Sequence, residues 1–338
     1  MNKREWVTRA LLGKEVDRVP VGFWFHFLPD KQLTAGYDEP ALIEKNLEGH
    51  RKFRDEFHPD FVKLMTDGLF YRPGSTYPPL RTARDLATVR PLGRNHPYLN
   101  ACVEHAKRVR EIYGDDILIF YSVNSPFLHV LKQYAGTSAM KYYPPCMREA
   151  PEAFRSATTA LTEDMVNLVE RVMTEAGMDG IYFALHNDNV FTQEQYFEMA
   201  APSEREILRV ANAHSPVNIV HICGYRGREN DFAVYRDYDA PAFSWSLHTT
   251  HLSVPEGRAF FTHSKSVIGG FDQLPGSLIH AGEKAEIQRF VYRLLDECGT
   301  RGFVLGADCT IPADTPIEHL IWAREACERY AEGLPQER

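Results

Sequence analysis

Short apolar runs alternate with longer amphipathic stretches along the whole chain. Eight of these runs are rich in Val, Ile, Leu and Phe, and several lack strict polar–apolar alternation. That pattern is typical of parallel strands covered on both faces. It predicts strands at 19–25, 61–67, 117–123, 180–185, 217–223, 241–246, 266–272 and 302–309.

The stretches between these runs predict helices. In 152–177, apolar residues recur at spacings of three and four, and Gly177 supplies a left-handed stop. A further helix precedes the first predicted strand, with Trp6, Ala10 and Leu11 on one face. We expect this helix to plug the amino-terminal end of the sheet. Other helices are predicted at about 38–57, 97–113, 193–213 and 281–298, and after Thr315.

Eight strands alternating with helices predict a (β/α)8 barrel of the α/β class. The sequence has no internal repeat, low-complexity tract or Gly/Ser linker, so one domain over residues 1–338 is favoured. A doubly wound open sheet is the alternative, because it also alternates strands with helices.

Composition narrows the class of function. The net charge of −8 argues against a nucleic-acid surface, which needs clustered Lys and Arg. No run approaches the roughly 20 apolar residues that would cross a membrane. The six cysteines are sparse and irregularly spaced, which favours a reducing compartment. We therefore expect a cytoplasmic protein that does not bind nucleic acid.

Polar residues follow the predicted strands at the end where barrel enzymes carry their active sites. Together they predict a polar mouth rich in acids and histidines. They are His26, Asp67, Asn124, His186, Asn187, Asp188, His221, Cys223, His248, His251, Asp272, Asp308 and Cys309.

The sharpest local signal is His221-Ile222-Cys223. Residues two apart on a strand point the same way, so an imidazole and a thiol share one face. Cys309 ends another predicted strand further along the chain. One His and two Cys form a zinc ligand set of the catalytic type, with a fourth position open. The alternative is that the cysteines are small hydrophobic core residues.

Three further residues are candidates for catalytic roles. Asp67 and His186 lie at predicted strand ends, and Asp272 ends Gly269-Gly270-Phe271-Asp272 as either an active-site acid or a turn residue. The sequence contains no G-x-G-x-x-G, P-loop or G-x-S-x-G motif. Dinucleotide binding, phosphate cradling and serine-hydrolase chemistry are therefore not indicated.

Several segments together resemble the uroporphyrinogen decarboxylase superfamily, in order and in spacing. They are 17–21 (Asp-Arg-Val-Pro-Val), 176–180 (Ala-Gly-Met-Asp-Gly), 221–224 (His-Ile-Cys-Gly), 269–272 (Gly-Gly-Phe-Asp), 306–312 (Gly-Ala-Asp-Cys-Thr-Ile-Pro) and 315–318 (Thr-Pro-Ile-Glu). The resemblance implies a (β/α)8 barrel, in agreement with the strand count.

Two branches of that superfamily make different demands on the sequence. The decarboxylases have paired arginines after the first strand that bind the carboxylates of the substrate. Here no arginine occurs between Arg18 and Arg51, although Asp67 matches a family carboxylate. The other branch comprises zinc-dependent corrinoid methyltransferases, whose hallmark is His-X-Cys and a later Cys. His221, Cys223 and Cys309 match that pattern.

The resemblance to the methyltransferase branch implies zinc as cofactor and methylcobalamin as co-substrate, carried on a separate corrinoid protein. The other substrate would be a small thiol or a methylated small molecule. Alternatives are a demethylase component with another pocket, a porphyrinogen decarboxylase without metal, and a non-catalytic zinc-binding barrel. The last would have a closed fourth ligand from His248, His251 or Asp308. A homodimer is a further expectation.

Overall fold

A computed structural model of the chain describes residues 2–73, 82–129, 143–225, 227–250 and 252–335. Helices and strands alternate along it. The strands are β1 (Phe61–Leu64), β2 (Leu118–Asn124), β3 (Gly180–Leu185), β4 (Ile219–Ile222), β5 (Ala242–Trp245), β6 (Ser266–Phe271) and β7 (Phe303–Ala307). The α-helices with both ends in the described residues are α1 (Lys3–Leu11), α2 (Ala41–Phe57), α3 (Pro97–Tyr113), α4 (Tyr143–Glu149), α5 (Pro151–Thr174), α6 (Gln193–Met199), α7 (Ala201–His214), α8 (Val254–Phe260), α9 (Leu278–Ala281), α10 (Lys284–Cys298) and α11 (Ile317–Ala331). Short 3-10 helices cover Asp30–Gln32, Thr66–Gly68, Ala83–Thr88 and Phe232–Tyr235.

The seven strands form one parallel sheet in sequential order, β1 to β7. A doubly wound sheet would reverse its strand order at a switch point, and this sheet does not. The architecture is α/β with a curled parallel sheet, consistent with a TIM-like barrel. Because all strands run the same way, their carboxyl ends meet along one edge of the sheet.

The predicted strand at 19–25 is not formed. Its segment runs beside β7, where Val21 and Leu305 make one isolated parallel bridge. On the other side, the Val21 N–H donates to the Asp60 carboxylate at 2.9 Å rather than to a backbone carbonyl. Pro20 has no N–H to contribute to a ladder. A side chain therefore interrupts the backbone pairing at this place, and the sheet formed by the described residues has seven strands instead of eight.

Two other predictions about element boundaries need correction. The predicted helix at 193–213 is two helices, α6 and α7, which meet at Ala200. The helix predicted at 281–298 begins at Lys284, because Gly282 and Glu283 separate α9 from α10. Gly270 lies within β6 at a φ of +134°, and a Cβ there would come within 2.6 Å of the Leu294 side chain. A glycine is therefore needed at this position of β6.

Apolar side chains on the inner face of the sheet form a cluster of their own, which α1 covers. Trp6, Ala10 and Leu11 of α1 are buried against inward residues such as Phe120 and Ile219. The Trp6 Nε1–H also donates to the Arg18 carbonyl at 3.0 Å. The expectation that α1 plugs the amino-terminal end of the sheet is confirmed.

A fully buried carboxylate on α7 links this helix to α6 and to the loop before β5. Glu204 on α7 accepts hydrogen bonds from the hydroxyls of Tyr196, at 2.8 Å, and Tyr238, at 2.5 Å. Burial raises the pKa of Glu204, although these hydrogen bonds oppose the shift. The sequence analysis did not identify this network.

Among the described residues, no helix combines the length and the apolar character that crossing a bilayer would require. All six cysteines are free thiols, as their irregular spacing predicts.

Candidate metal centre

Three side chains meet at the carboxyl end of the sheet. His221 lies on β4, Cys223 follows the last residue of that strand, and Cys309 lies just beyond β7. Their ligand atoms all lie within 4.8 Å of one another. Because the Cys223 N–H donates to the Leu185 carbonyl at 2.7 Å, Cys223 continues the pairing of β4 with β3. The predicted same-face arrangement of His221 and Cys223 is thus formed.

The distances suit a tetrahedral divalent ion. The two Sγ atoms are 3.9 Å apart. Two thiolates on tetrahedral zinc, with Zn–S bonds near 2.3 Å, would be about 3.8 Å apart, whereas a disulfide requires about 2.05 Å. The His221 Nε2 atom is buried and has no hydrogen-bond partner in the described structure. An unpaired ring nitrogen beside two thiols is a donor set that fits zinc.

The thiols of Cys223 and Cys309 are in hydrogen-bond contact, and this contact affects the two groups in opposite directions. It holds the pKa of Cys309 well below its usual range. The same hydrogen bond, together with burial, raises the pKa of the Cys223 thiol. A metal ion that binds both sulfurs would displace the remaining proton, because thiolates are the ligand form.

Two neighbouring side chains fix the imidazole of His221. The Ser244 Oγ lies 3.2 Å from its Nδ1, and the Tyr182 hydroxyl donates to the same Oγ at 3.3 Å. The ring of Tyr182 also packs on the His221 ring, with centroids 5.2 Å apart. A partner on Nδ1 sets the ring orientation and leaves Nε2 available as a ligand.

Asn230 holds the end of β4 in place. Its Nδ2 donates to the Cys223 carbonyl at 3.1 Å, and its Oδ1 accepts from the Asn187 N–H at 2.7 Å. Asn230 therefore links the residues after β3 to the backbone of a candidate ligand. Its side chain is nearly buried, so water would replace these bonds poorly.

We predict that Asn230→Ala weakens zinc binding by about tenfold to a hundredfold, since groups that position ligands have effects of that size. Competition with a chromophoric chelator would measure the change. Asn212→Ala removes a half-buried amide that bonds Asp239 and Asn218 rather than a candidate ligand, and serves as the control. Equal zinc affinity in wild type and Asn230→Ala would contradict the assigned role.

A second polar group lies beside Cys309. The buried Asp308 carboxylate accepts from the His248 N–H and contacts His248 Nδ1, both at 2.9 Å, and it accepts from the Ser246 hydroxyl at 3.2 Å. Hydrogen bonding to Asp308 raises the pKa of His248, and the Asp272 charge adds to the effect. Neither His248 nor Asp308 belongs to the cluster that could hold a metal among the described residues. His251, the other candidate for a fourth ligand, lies outside the described residues.

The candidate catalytic residues Asp67, His186 and Asp272 lie around the same edge but outside the metal cluster. Asp67 is in the Thr66–Gly68 turn after β1. The Asp272 carboxylate accepts from the Leu274 N–H at 3.0 Å, which is a turn contact. Their catalytic roles stay predictions.

His186 has its own partners at the end of β3. Its Nδ1 lies 2.9 Å from an oxygen of Asp188. The Arg228 guanidinium lies 3.1 Å from both ring nitrogens, which places it over the ring rather than in its plane. His186 is therefore held between an acid and a guanidinium.

Lys63 was not predicted as a site residue, although its position in the sequence is unusual. It is a lone charge in the otherwise apolar run at 61–65 and lies on the inner face of β1, about 6% exposed. Ser244 and Asn230, which reach the site only through pairing of distant segments, were not predicted either.

Comparison with known protein families shows the family to which this chain belongs. The model of the uroporphyrinogen decarboxylase (URO-D) family matches residues 71–330, which is most of the chain. The chain belongs to the uroporphyrinogen decarboxylase family. The resemblance inferred from the sequence motifs is thereby confirmed. A comparison with curated proteins gave no match.

Two solved structures are similar to this family member over nearly its whole length. A methyltransferase from Methanosarcina mazei covers 98% of this chain and 99% of its own, with a TM-score of 0.70 and 17% identity. A B12-independent methionine synthase from a Shewanella species, solved with selenomethionine, covers 94% and 100%, with a TM-score of 0.60 and 13% identity. At these identities the likeness shows a shared fold.

Proposed function

We propose that this chain is a zinc-dependent methyltransferase that moves a methyl group between a corrinoid protein and a thiol. The observation that carries the proposal is the cluster of His221, Cys223 and Cys309 at the carboxyl end of the sheet, with two sulfurs 3.9 Å apart. The cluster has three ligands within the described chain, which suits a catalytic ion with an open fourth position. A methyltransferase among the similar structures is in agreement.

In this proposal each residue has a specific task. His221, Cys223 and Cys309 would hold the zinc, which activates a thiol by favouring its deprotonated form. Ser244 orients the His221 ring through Nδ1. The mouth of a TIM-like barrel would position the acceptor sulfur for in-line attack on the methyl carbon. Asp67, His186 and Asp272 are proposed to act around that mouth, on a cytoplasmic enzyme.

The decarboxylase alternative has less support. A polycarboxylate needs several cations to offset its charge. No arginine lies between Arg18 and Arg51, and Arg72 forms a buried ion pair with Asp164 at 2.6 Å. A decarboxylase would also leave the paired cysteines without a task. The scaffold alternative needs a fourth protein ligand, and the described cluster contains three.

The deciding assay uses methylcobalamin and a small thiol with zinc-loaded protein. We predict that Cys309→Ser, purified as a folded protein, loses methyl transfer by about a hundredfold or more, because a serine hydroxyl does not replace a zinc-bound thiolate. Cys327→Ser, which alters a buried helix cysteine, should keep full activity. Full transfer by folded Cys309→Ser would show that the cluster is not the reaction centre.

A further inference from the structure

A buried lysine lies inside the sheet beneath the candidate metal centre. Lys63 is on the inner face of β1, and its Nζ lies 4.3 Å from the centroid of the Tyr182 ring and 5.4 Å from that of Trp24. The Tyr182 ring packs in turn on the ring of His221, with centroids 5.2 Å apart. The Lys63 Nζ is therefore within about 10 Å of the imidazole.

Nothing anionic pairs with this ammonium group in the described parts of the chain. Among the described residues, Nζ contacts aromatic rings, and Asp67 lies four residues later in the turn after β1. Aromatic faces attract a cation without cancelling its charge. A buried charge without a counter-charge is costly, so a lysine at this position needs another explanation.

The charges at the metal centre supply one. Zinc with two thiolates and a neutral imidazole would have a net charge of zero, and Lys63 adds a positive charge within about 10 Å of the imidazole. An acceptor bound as thiolate would bring one negative charge, which the ammonium group attracts.

We propose that Lys63 distinguishes the anionic thiolate acceptor from its neutral methylated product. The inference rests on the proposed function, and it specifies that the preferred ligand carries a negative charge. Low-dielectric surroundings strengthen the interaction, because Trp24 and Tyr182 keep water away from the ammonium group.

Charge balance during transfer follows from the bonds that change. A sulfur–carbon bond forms from a lone pair of the acceptor thiolate, and the bond between the methyl carbon and the corrinoid donor breaks with its electron pair left on the donor. The acceptor thereby becomes a neutral thioether. Lys63 loses its counter-charge at that moment, so product binding becomes weaker than acceptor binding.

The test compares binding of 2-mercaptoethanol and of its S-methyl thioether to zinc-loaded protein by calorimetry, with no methyl donor present. Wild type should prefer the thiol, and Lys63→Met should reduce that preference by about tenfold, as expected for removing one unit charge at roughly 10 Å. Lys63→Arg keeps the charge and should retain most of the preference. Lys52→Met removes an exposed lysine and should change nothing.

Each outcome separates this inference from the proposed function. If wild type binds zinc and thiol and Lys63→Met keeps the same preference, the role of Lys63 is wrong and the methyltransferase proposal stands. The same measurement with 3-mercaptopropionate and its S-methyl thioether is a control. If Lys63→Met weakens binding of both carboxylate-bearing ligands and leaves the 2-mercaptoethanol preference unchanged, the inference is overturned, because Lys63 would then bind a remote carboxylate. If wild type binds no zinc or no thiol, the proposed function fails, and this inference fails with it.

Discussion

Replacing Cys223 with alanine should abolish stoichiometric zinc binding. Wild-type protein is expected to contain about one zinc per chain, and the variant less than about one tenth of that, since one of three ligands is lost. Metal analysis of purified protein after dialysis measures this directly. The variant should fold, because the side chain lies at a strand end near the mouth rather than in the apolar core.

Cys298→Ala is the matched control for this prediction. Its thiol is buried on α10, away from the cluster, so the substitution removes a buried cysteine without removing a ligand. It should keep full zinc content. Absence of zinc from the wild type would contradict the metal centre itself, and full zinc content in Cys223→Ala would remove Cys223 from the ligand set.

Glu204 is expected to produce the largest effect on stability. Glu204→Ala should lower the free energy of unfolding by about 3 to 5 kcal/mol, because it opens a cavity and leaves the hydroxyls of Tyr196 and Tyr238 without their acceptor. Glu204→Gln keeps an acceptor oxygen in the same volume and should lose much less. Urea denaturation followed by circular dichroism would measure both.

The pKa shift of Glu204 also predicts how the free energy of unfolding changes with pH. Burial raises the pKa of Glu204 above its ordinary value of 4.5, so the folded state holds the proton more tightly than the unfolded state. Its contribution to stability is complete below the unfolded pKa and is lost as the pH rises through the folded pKa. The stability of Glu204→Gln relative to wild type should therefore increase from pH 4.5 upwards. A difference that does not vary with pH would contradict the pKa shift.

The site could be predicted best where the periodicity of one strand decides which side chains lie together. His221 and Cys223 are two residues apart, and the period of a strand puts both on one face without any knowledge of the fold. Cys309 is 86 residues later, and its predicted place beside them depended on the parallel sheet bringing strand ends together. The structure brings the two sulfurs to 3.9 Å from each other.

The failures of prediction have a common cause in long-range contacts. The run at 19–25 has strand-like residues, but the carboxylate of Asp60 takes the backbone N–H that a ladder would need. The position of Asn230 depends on the turn after β4, and no local pattern reports it. Lys63 could have been singled out from the sequence, because a charged residue is unusual in a buried strand. Its contacts with the neighbouring aromatic rings could be found only from the structure.

The helix that covers the amino-terminal end of the sheet has a consequence for the order of events. With Trp6, Ala10 and Leu11 filling that end, acceptor and methyl donor have to use the same opening at the carboxyl edge. In the proposed reaction a bulky corrinoid protein resting on that opening would seal it. The small acceptor must then enter first, and its methylated form can leave only after the larger partner has separated. Closure of the amino-terminal end thus imposes an ordered sequence of binding and release on the proposed two-substrate reaction.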